Sequence, residues 1–288
     1  MTKKKMSIIQ NIQSKFKQGN IVEKLIYINI AVFVLTLFIG VFGDWFKNSS
    51  NFLIQWFSLK SDFNTFITQP WTIISYGFLH AGFIHILFNL IALFYIGNLF
   101  LEYFTQKQLL NFYVFGTVFG GLLFLLSHNT IPLFKDTFVP LVGASAGISA
   151  IFIGITTYIP NYQLKIRFIG FVHLWKLAAL WIFLDLIQLA GSNAGGHFAH
   201  LGGALFGFLY VSFASNTRID LLKPLKDLFK RREKPLKTVY KSKTRTKAST
   251  SNTNQQQIDA ILDKISKSGY DTLSKEEKAF LFQQGKNK

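Results

Sequence analysis

Six stretches between residues 25 and 215 are long and apolar enough to cross a lipid bilayer, and this pattern restricts the fold more than anything else in the sequence. They fall at 25–43, 83–103, 109–127, 141–159, 173–191 and 198–215, each close to the roughly 20 residues that a helical span requires. Lipid offers no hydrogen-bond partners, so each stretch must close its own backbone bonds as a helix. Charge is segregated to match. Residues 25–215 carry seven basic and five acidic side chains, residues 1–24 have a net charge of +5, and residues 216–288 have a net charge of +10. The expectation is an all-α membrane protein, a six-transmembrane-helix bundle with a basic tether and a small C-terminal helical hairpin. The first apolar run lacks a small-residue cleavage site and reads as a retained helix.

Six spans leave both termini on one side, and Lys and Arg in the short loops orient the bundle. Both termini are basic, and the 160–172 loop adds Lys165 and Arg167, with Lys176 just beyond. The opposite loops, 44–82 and 128–140, offset Lys47, Lys60 and Lys135 with Asp44, Asp62 and Asp136. Both termini are therefore expected in the cytoplasm, with a bacterial plasma (inner) membrane as the host bilayer. The 44–82 loop is too long for a simple connector. Its aromatics (Trp45, Phe46, Phe52, Trp56, Phe57, Phe63, Phe66 and Trp71) suit the membrane interface.

The domains expected are a basic N-terminus at 1–24, the bundle at 25–215, a basic and polar linker at 216–255 and a helical module at 256–288. In the module Ile258, Ile261, Leu262 and Ile265 recur at helical spacing, SGYDT makes a turn, and Ser274 to Glu277 forms an S-x-x-E capping box. The linker reads as a positive flank against anionic lipid, and no nucleic-acid partner is expected. With no cysteine in the chain, a disulfide framework and thiolate chemistry are excluded. Neither a metal nor a cofactor is expected.

Polar side chains at membrane depth are costly, which makes each a functional candidate. Here they are His85, Asn89, Ser145, Ser149, Asp185, Gln188 and His200. His85 and Asn89, four apart, share a helix face. They suit either a developing oxyanion or an interhelical hydrogen bond. His200 shares a face with Gly203 and Gly207, and Ala199 extends that small-residue pattern. The fourth span carries a matching strip of Ala146, Ala150 and Gly154 beside Ser145. Helices lined this way pack closely, which brings His200 towards a serine at the same depth. Asp185 is read as a structural hydrogen-bonding residue or as an orienting acid. His80 and His197 are expected to make structural hydrogen bonds in loops, and His128 to lie in a loop. His173 is too far away to serve Ser145.

Three motifs resemble those of the rhomboid intramembrane serine proteases. They are H-x-x-x-N at His85 and Asn89, preceded by His80; G-x-S at Gly143 to Ser145; and A-H-x-x-G-x-x-x-G at Ala199, His200, Gly203 and Gly207. PWTIISYGFLH, residues 70–80, is similar to the segment leading into the family's second helix. The resemblance covers roughly residues 25–215. It implies a serine endopeptidase with a Ser–His dyad and no obligatory acid. Ser145 is the implied nucleophile and His200 the base, with an oxyanion hole from the Ser145 N–H, His85 and Asn89. Gly143, Ala199, Gly203 and Gly207 are the implied supporting residues, and transmembrane proteins the implied substrates. The sequence departs from the family at Ala146, where glycine is commonest, at Thr72 after Trp71, and at Ser149, where an aromatic often packs on the base. Ser149, itself in a G-x-S setting, is a rival nucleophile. An inactive rhomboid-like protein binding membrane clients, and a small transporter or channel, are the alternative functions.

Overall fold

The computed structural model describes residues 14, 16–45, 51–134, 138–191, 193–214 and 251–285. Residues 1–13 of the basic N-terminus, Phe46 and Lys47 of the long loop, Lys135 and Asp136, and residues 216–250 of the linker lie outside the described residues. The chain divides into two units, Met1–Lys230 and Arg231–Lys288.

The first unit contains six long helices among its described residues: α1 (Ile21–Trp45), α2 (Phe83–Tyr103), α3 (Gln106–Thr130), α4 (Ser145–Tyr158), α5 (Leu174–Gln188) and α6 (Ala194–Ala214). Residues Ile21–Gly43 of α1, together with α2 and α3, are long and apolar enough to cross a membrane. Two of these starts carry reciprocal caps that hydrophobicity alone does not reveal. Before α1, the Asn20 side chain accepts from Glu23 N–H while Glu23 accepts from Asn20 N–H. Before α3, Thr105 and Gln108 do the same. Each pair satisfies backbone donors that a helix start leaves open.

The all-α expectation needs correcting at two short antiparallel pairings. Strand β1 (Leu59–Lys60) pairs with β2 (Pro140–Leu141). This draws the start of the expected fourth span out of the helix, so α4 begins at Ser145 rather than near 141. Strands β3 (Gln163–Ile166) and β4 (Gly170–His173) form a hairpin where a plain loop was expected. α6 begins four residues before the expected 198, so His197 is helical.

α4 is the innermost helix, with Ala146 to Phe152 and Gly154 to Thr156 all buried. Small residues let its neighbours close in. A methyl group on Gly203 of α6 would run into the Ala146 backbone carbonyl, and one on Gly207 into that of Ala150. α3 joins the same seam through Gly116 and Gly120, which face Ala150 and Ala146. Around this close-packed centre the outer faces stay apolar, with Leu35, Phe38, Phe88, Tyr95, Phe183 and Ile187 all exposed. A surface of that kind belongs against lipid.

The described part of the long loop, residues 51–82, is folded rather than slack. It carries short helices at Phe52–Phe57, Phe63–Thr68 and Thr72–Ser75. The Trp71 indole donates to the Trp56 carbonyl and stacks on its ring. Tyr76 O–H donates to the Thr117 carbonyl, and Tyr113 O–H to that of Gly77. These bonds pin the segment to α3.

The second unit holds α7 (Ser251–Ser268) and α8 (Lys275–Gly285), joined by a turn through Gly269 and Tyr270–Thr272. Ser274 and Glu277 exchange the two bonds of a capping box. Lys264 of α7 meets Glu277 at 3.0 Å, and Ile261 and Leu273 are buried.

Candidate active site

Ser145 is the first residue of α4, after Ala144 in helical conformation and Gly143 at φ +137°. Gly143 N–H donates to the Tyr76 carbonyl at 3.0 Å, which ties the turn to the folded loop. The first intrahelical bond of α4 runs from Ile148 N–H to the Ala144 carbonyl. The N–H groups of residues 145–147 are thus unspent within the helix, and the positive end of its dipole points at the turn.

His200, in the second turn of α6, reaches this serine. Its Nε2 lies 2.7 Å from Ser145 Oγ, and its Nδ1 lies 2.8 Å from Asp185 Oδ1. A carboxylate only accepts, so Nδ1 carries the proton and Nε2 accepts from the serine hydroxyl. The same Asp185 oxygen accepts from His197 Nδ1, also at 2.8 Å. Asp185 is buried, and its Oδ2 has no hydrogen-bond partner among the described residues.

His85 and Asn89 stand on the opposite wall. Both line a cavity of about 720 Å³ together with Gly143, Ser145, Ala199, His200 and Trp181. Asn89 Nδ2 donates one hydrogen to the His85 carbonyl at 2.9 Å, and an amide carries two. Atoms Cε1 and Nε2 of the His85 ring lie 3.0 Å from where a Gly143 Cβ would stand. Gly143→Ala would therefore strain the backbone, by about 1–3 kcal/mol, and push the imidazole aside. The variant is expected to unfold at a lower temperature in a detergent melt. An unchanged midpoint would contradict this reading of the turn.

The other candidates fall differently. Ser149 is fully buried, and its Oγ accepts from the Trp181 indole at 3.3 Å, while His200 points at Ser145 instead. Trp181 packs beside the His200 ring at 6.1 Å. The aromatic missing at position 149 is supplied by α5, with Ser149 as its acceptor. Sequence reading missed Trp181 because nothing along the chain links residue 181 to residue 200. His197, expected in a loop, is in the first turn of α6. His128, also expected in a loop, is buried in the last turn of α3, its Nδ1 against the Phe124 carbonyl at 3.0 Å. His80, expected to make a structural hydrogen bond in a loop, is buried, with the Phe78 backbone as the hydrogen-bonding group beside its ring. Burial, and then the neighbouring His85, push it down to about 4, so a neutral ring rests edge-on against His85. His173 pairs with Gln163 on the β3–β4 hairpin, away from Ser145. Gln188 bonds back to the Leu184 carbonyl of its own helix.

Among the described residues, Asp185, His197 and His200 bring donor atoms close enough to share a metal ion, within 4.8 Å of one another. Both imidazole Nδ1 atoms already bond the same carboxylate oxygen, Oδ1.

The Rhomboid domain family matches residues 68–217, just over half of the chain and the part that holds every residue of this cavity. The chain belongs to the rhomboid family. With its apolar helices, that makes it a rhomboid-family membrane protein. It is similar to RHOMBOID-like protein 12, mitochondrial, of Arabidopsis thaliana, with 29% identity over 177 residues covering 57% of this chain and 52% of that protein. Rhomboid-like protein 16, chloroplastic, of the same plant is 31% identical over 110 residues, covering 38% of this chain and 32% of that protein. This rhomboid chain thus spans about half the length of the first relative and about a third of the second. Both relatives carry organellar names and lend no support to the bacterial inner membrane expected from sequence. Residues 249–286, which include α7 and α8, match a family of unknown function, DUF6576.

Proposed function

We propose that this chain is an intramembrane serine endopeptidase in which Ser145 attacks the scissile carbonyl and His200 is its general base. The observation that carries the reading is the 2.7 Å approach of His200 Nε2 to Ser145 Oγ at the wall of an open cavity. A serine hydroxyl is a weak nucleophile until a base takes its proton. The proton passes from Oγ to Nε2 as Oγ bonds the carbonyl carbon, and it later moves to the leaving amine. The developing oxyanion is held by Ser145 N–H, the second Asn89 amide hydrogen and His85. Gly143, Ala199, Gly203 and Gly207 support this geometry by letting the backbones approach.

All six helices are embedded in the bilayer, with both basic termini on the cytoplasmic side and residues 256–288 as a cytoplasmic module beyond the linker. α4, at 14 residues, is about 21 Å long, against a hydrocarbon core of about 30 Å. It cannot reach both faces, so Ser145 sits below the external surface, where the cavity admits the water that hydrolysis needs. Exposed Phe52, Trp56, Phe63 and Trp71 set the long loop in the external interface, and exposed Phe168 and Phe171 set the β3–β4 hairpin in the opposite one. Substrates are transmembrane proteins whose helices unwind near the external face, because a peptide bond kept in a helix is shielded from attack.

The test is labelling with a fluorophosphonate and cleavage of a single-pass reporter in membranes. Wild type is expected to label and cleave. Ser149→Ala, which removes only the acceptor of Trp181, is expected to stay within about tenfold of wild type, the scale of one lost neutral hydrogen bond. Loss of labelling in Ser149→Ala with retention in Ser145→Ala would move the nucleophile one turn. A wild type that neither labels nor cleaves would mark a client-binding rhomboid instead.

A further inference from the structure

We propose that Asp185 positions His200 for the reaction, with His197 locking the Asp185 carboxylate in place. This rests on the Ser145–His200 reading and adds to the dyad a third and a fourth member. The carboxylate is drawn from α5 and both imidazoles from α6.

The geometry is a continuous chain. Ser145 Oγ meets His200 Nε2 at 2.7 Å, His200 Nδ1 meets Asp185 Oδ1 at 2.8 Å, and Asp185 Oδ1 meets His197 Nδ1 at 2.8 Å. A free imidazole chooses between two neutral tautomers, and only the one protonated at Nδ1 leaves Nε2 to accept from serine. An ionised carboxylate at Nδ1 removes the choice and fixes the ring plane. When His200 takes the serine proton, the new imidazolium lies against a carboxylate inside the protein, where charges are poorly screened. Asp185 neither gains nor loses a proton in that step.

Burial separates this role from a merely structural one. The Asp185 side chain is 5% exposed, and a buried carboxylate is costly unless its charge is met. A residue present only to tie α5 to α6 would serve as well with a neutral amide and both polar atoms bonded. Here both rings converge on the single oxygen Oδ1, which puts the carboxylate charge directly beside the ring that becomes cationic. His197 makes that tenable. It lies three residues before His200 on the same helix face, and its ring stands at 84° to that of His200. Its Nδ1–H occupies the shared oxygen from the other side, so the carboxylate cannot swing away. Trp181, held by Ser149, limits movement of His200 across the cavity.

Purified full-length protein in lipid vesicles, with the single-pass reporter, provides the test through kcat, KM and thermal midpoint. Asp185→Asn is expected to lower kcat by roughly 1,000- to 10,000-fold while KM and the midpoint stay close to wild type, as when a triad acid becomes an amide and the wrong tautomer prevails. His197→Gln is expected to lose about tenfold, since a weaker neutral donor replaces the imidazole. A kcat for Asp185→Asn within about threefold of wild type would overturn the proposal, because tautomer control in a triad is worth far more than that. Persistent cleavage in Ser145→Ala would instead overturn the dyad beneath it, so the two failures are distinguishable. If Asp185→Asn does not fold, ¹⁵N NMR of histidine-labelled wild type decides, with His200→Ala used for assignment. A proton on His200 Nδ1 supports the proposal, and a proton on Nε2 overturns it.

Discussion

Ser145→Ala is expected to abolish both fluorophosphonate labelling and reporter cleavage, while the variant stays folded and keeps binding transmembrane substrates. The hydroxyl is small, and its partner His200 retains its bond to Asp185 when the oxygen is removed. Little packing is lost, and the thermal midpoint should move by no more than a few degrees. The rate is another matter. Nucleophile and base act as one unit, and deleting a serine nucleophile from such a unit costs on the order of a million-fold in kcat. The loss should fall below detection in a membrane assay. His200→Ala should match it within the same order, because a serine without its base is as inert as no serine. Labelling of Ser145→Ala at the wild-type rate would remove the basis for the proposed function.

Gly203→Ala is expected to be both destabilising and nearly inactive, although alanine is the better helix former. Propensity alone favours alanine by about 1 kcal/mol. Against this, the new methyl would enter the backbone carbonyl of Ala146, whose Cα stands 3.2 Å from where the Cβ must go. A backbone atom cannot rotate away as a side chain can. Relief requires α6 to retreat from α4 by on the order of 1 Å, given ordinary carbon contacts near 3.5–4.0 Å. Overpacking of this kind costs about 1–3 kcal/mol, so packing wins over propensity. Ala146 is the residue after Ser145, and Gly203 lies one turn from His200, so the same retreat opens the 2.7 Å contact. A misplacement of about 1 Å can cost about 100-fold in rate. Gly207→Ala, which meets Ala150 one turn deeper, should lower the midpoint similarly with a smaller loss of rate. A detergent melt alongside fluorophosphonate labelling separates the two effects. A Gly203→Ala variant with wild-type midpoint and labelling would refute the close-packing argument.

Much of the bundle was legible along the chain, because hydrophobic length and small-residue periodicity are local properties. The small strip of α4 and the Ala199–Gly203–Gly207 face of α6 were readable as partners, and they meet. What could not be read were features made by residues distant in sequence. The β1–β2 pairing joins residues about 80 apart and shortens α4, yet two-residue strands leave no period to detect. Glycines Gly116 and Gly120 of α3 were passed over within a strongly apolar span that needed no further account. His80 reads from sequence as a loop histidine with a hydrogen bond, and only its burial against His85 reveals a neutral ring.

By itself the sequence determined that the chain is a membrane-embedded helical protein and which polar side chains stand at membrane depth, because lipid forbids unsatisfied backbone and penalises every buried charge. Its resemblance to the rhomboid proteases also grouped Ser145, His200, His85 and Asn89 as one set. Only the tertiary structure decided what surrounds His200. Asp185 and Trp181 come from a neighbouring helix, His197 becomes helical only because α6 starts early, and Ser149 turns out to hold an indole. The physical reason is that a hydrogen bond such as that between Asp185 and His200 depends on how two helices are rotated and how deep they sit. Those quantities are set by the packing of the whole bundle and not by any local run of residues.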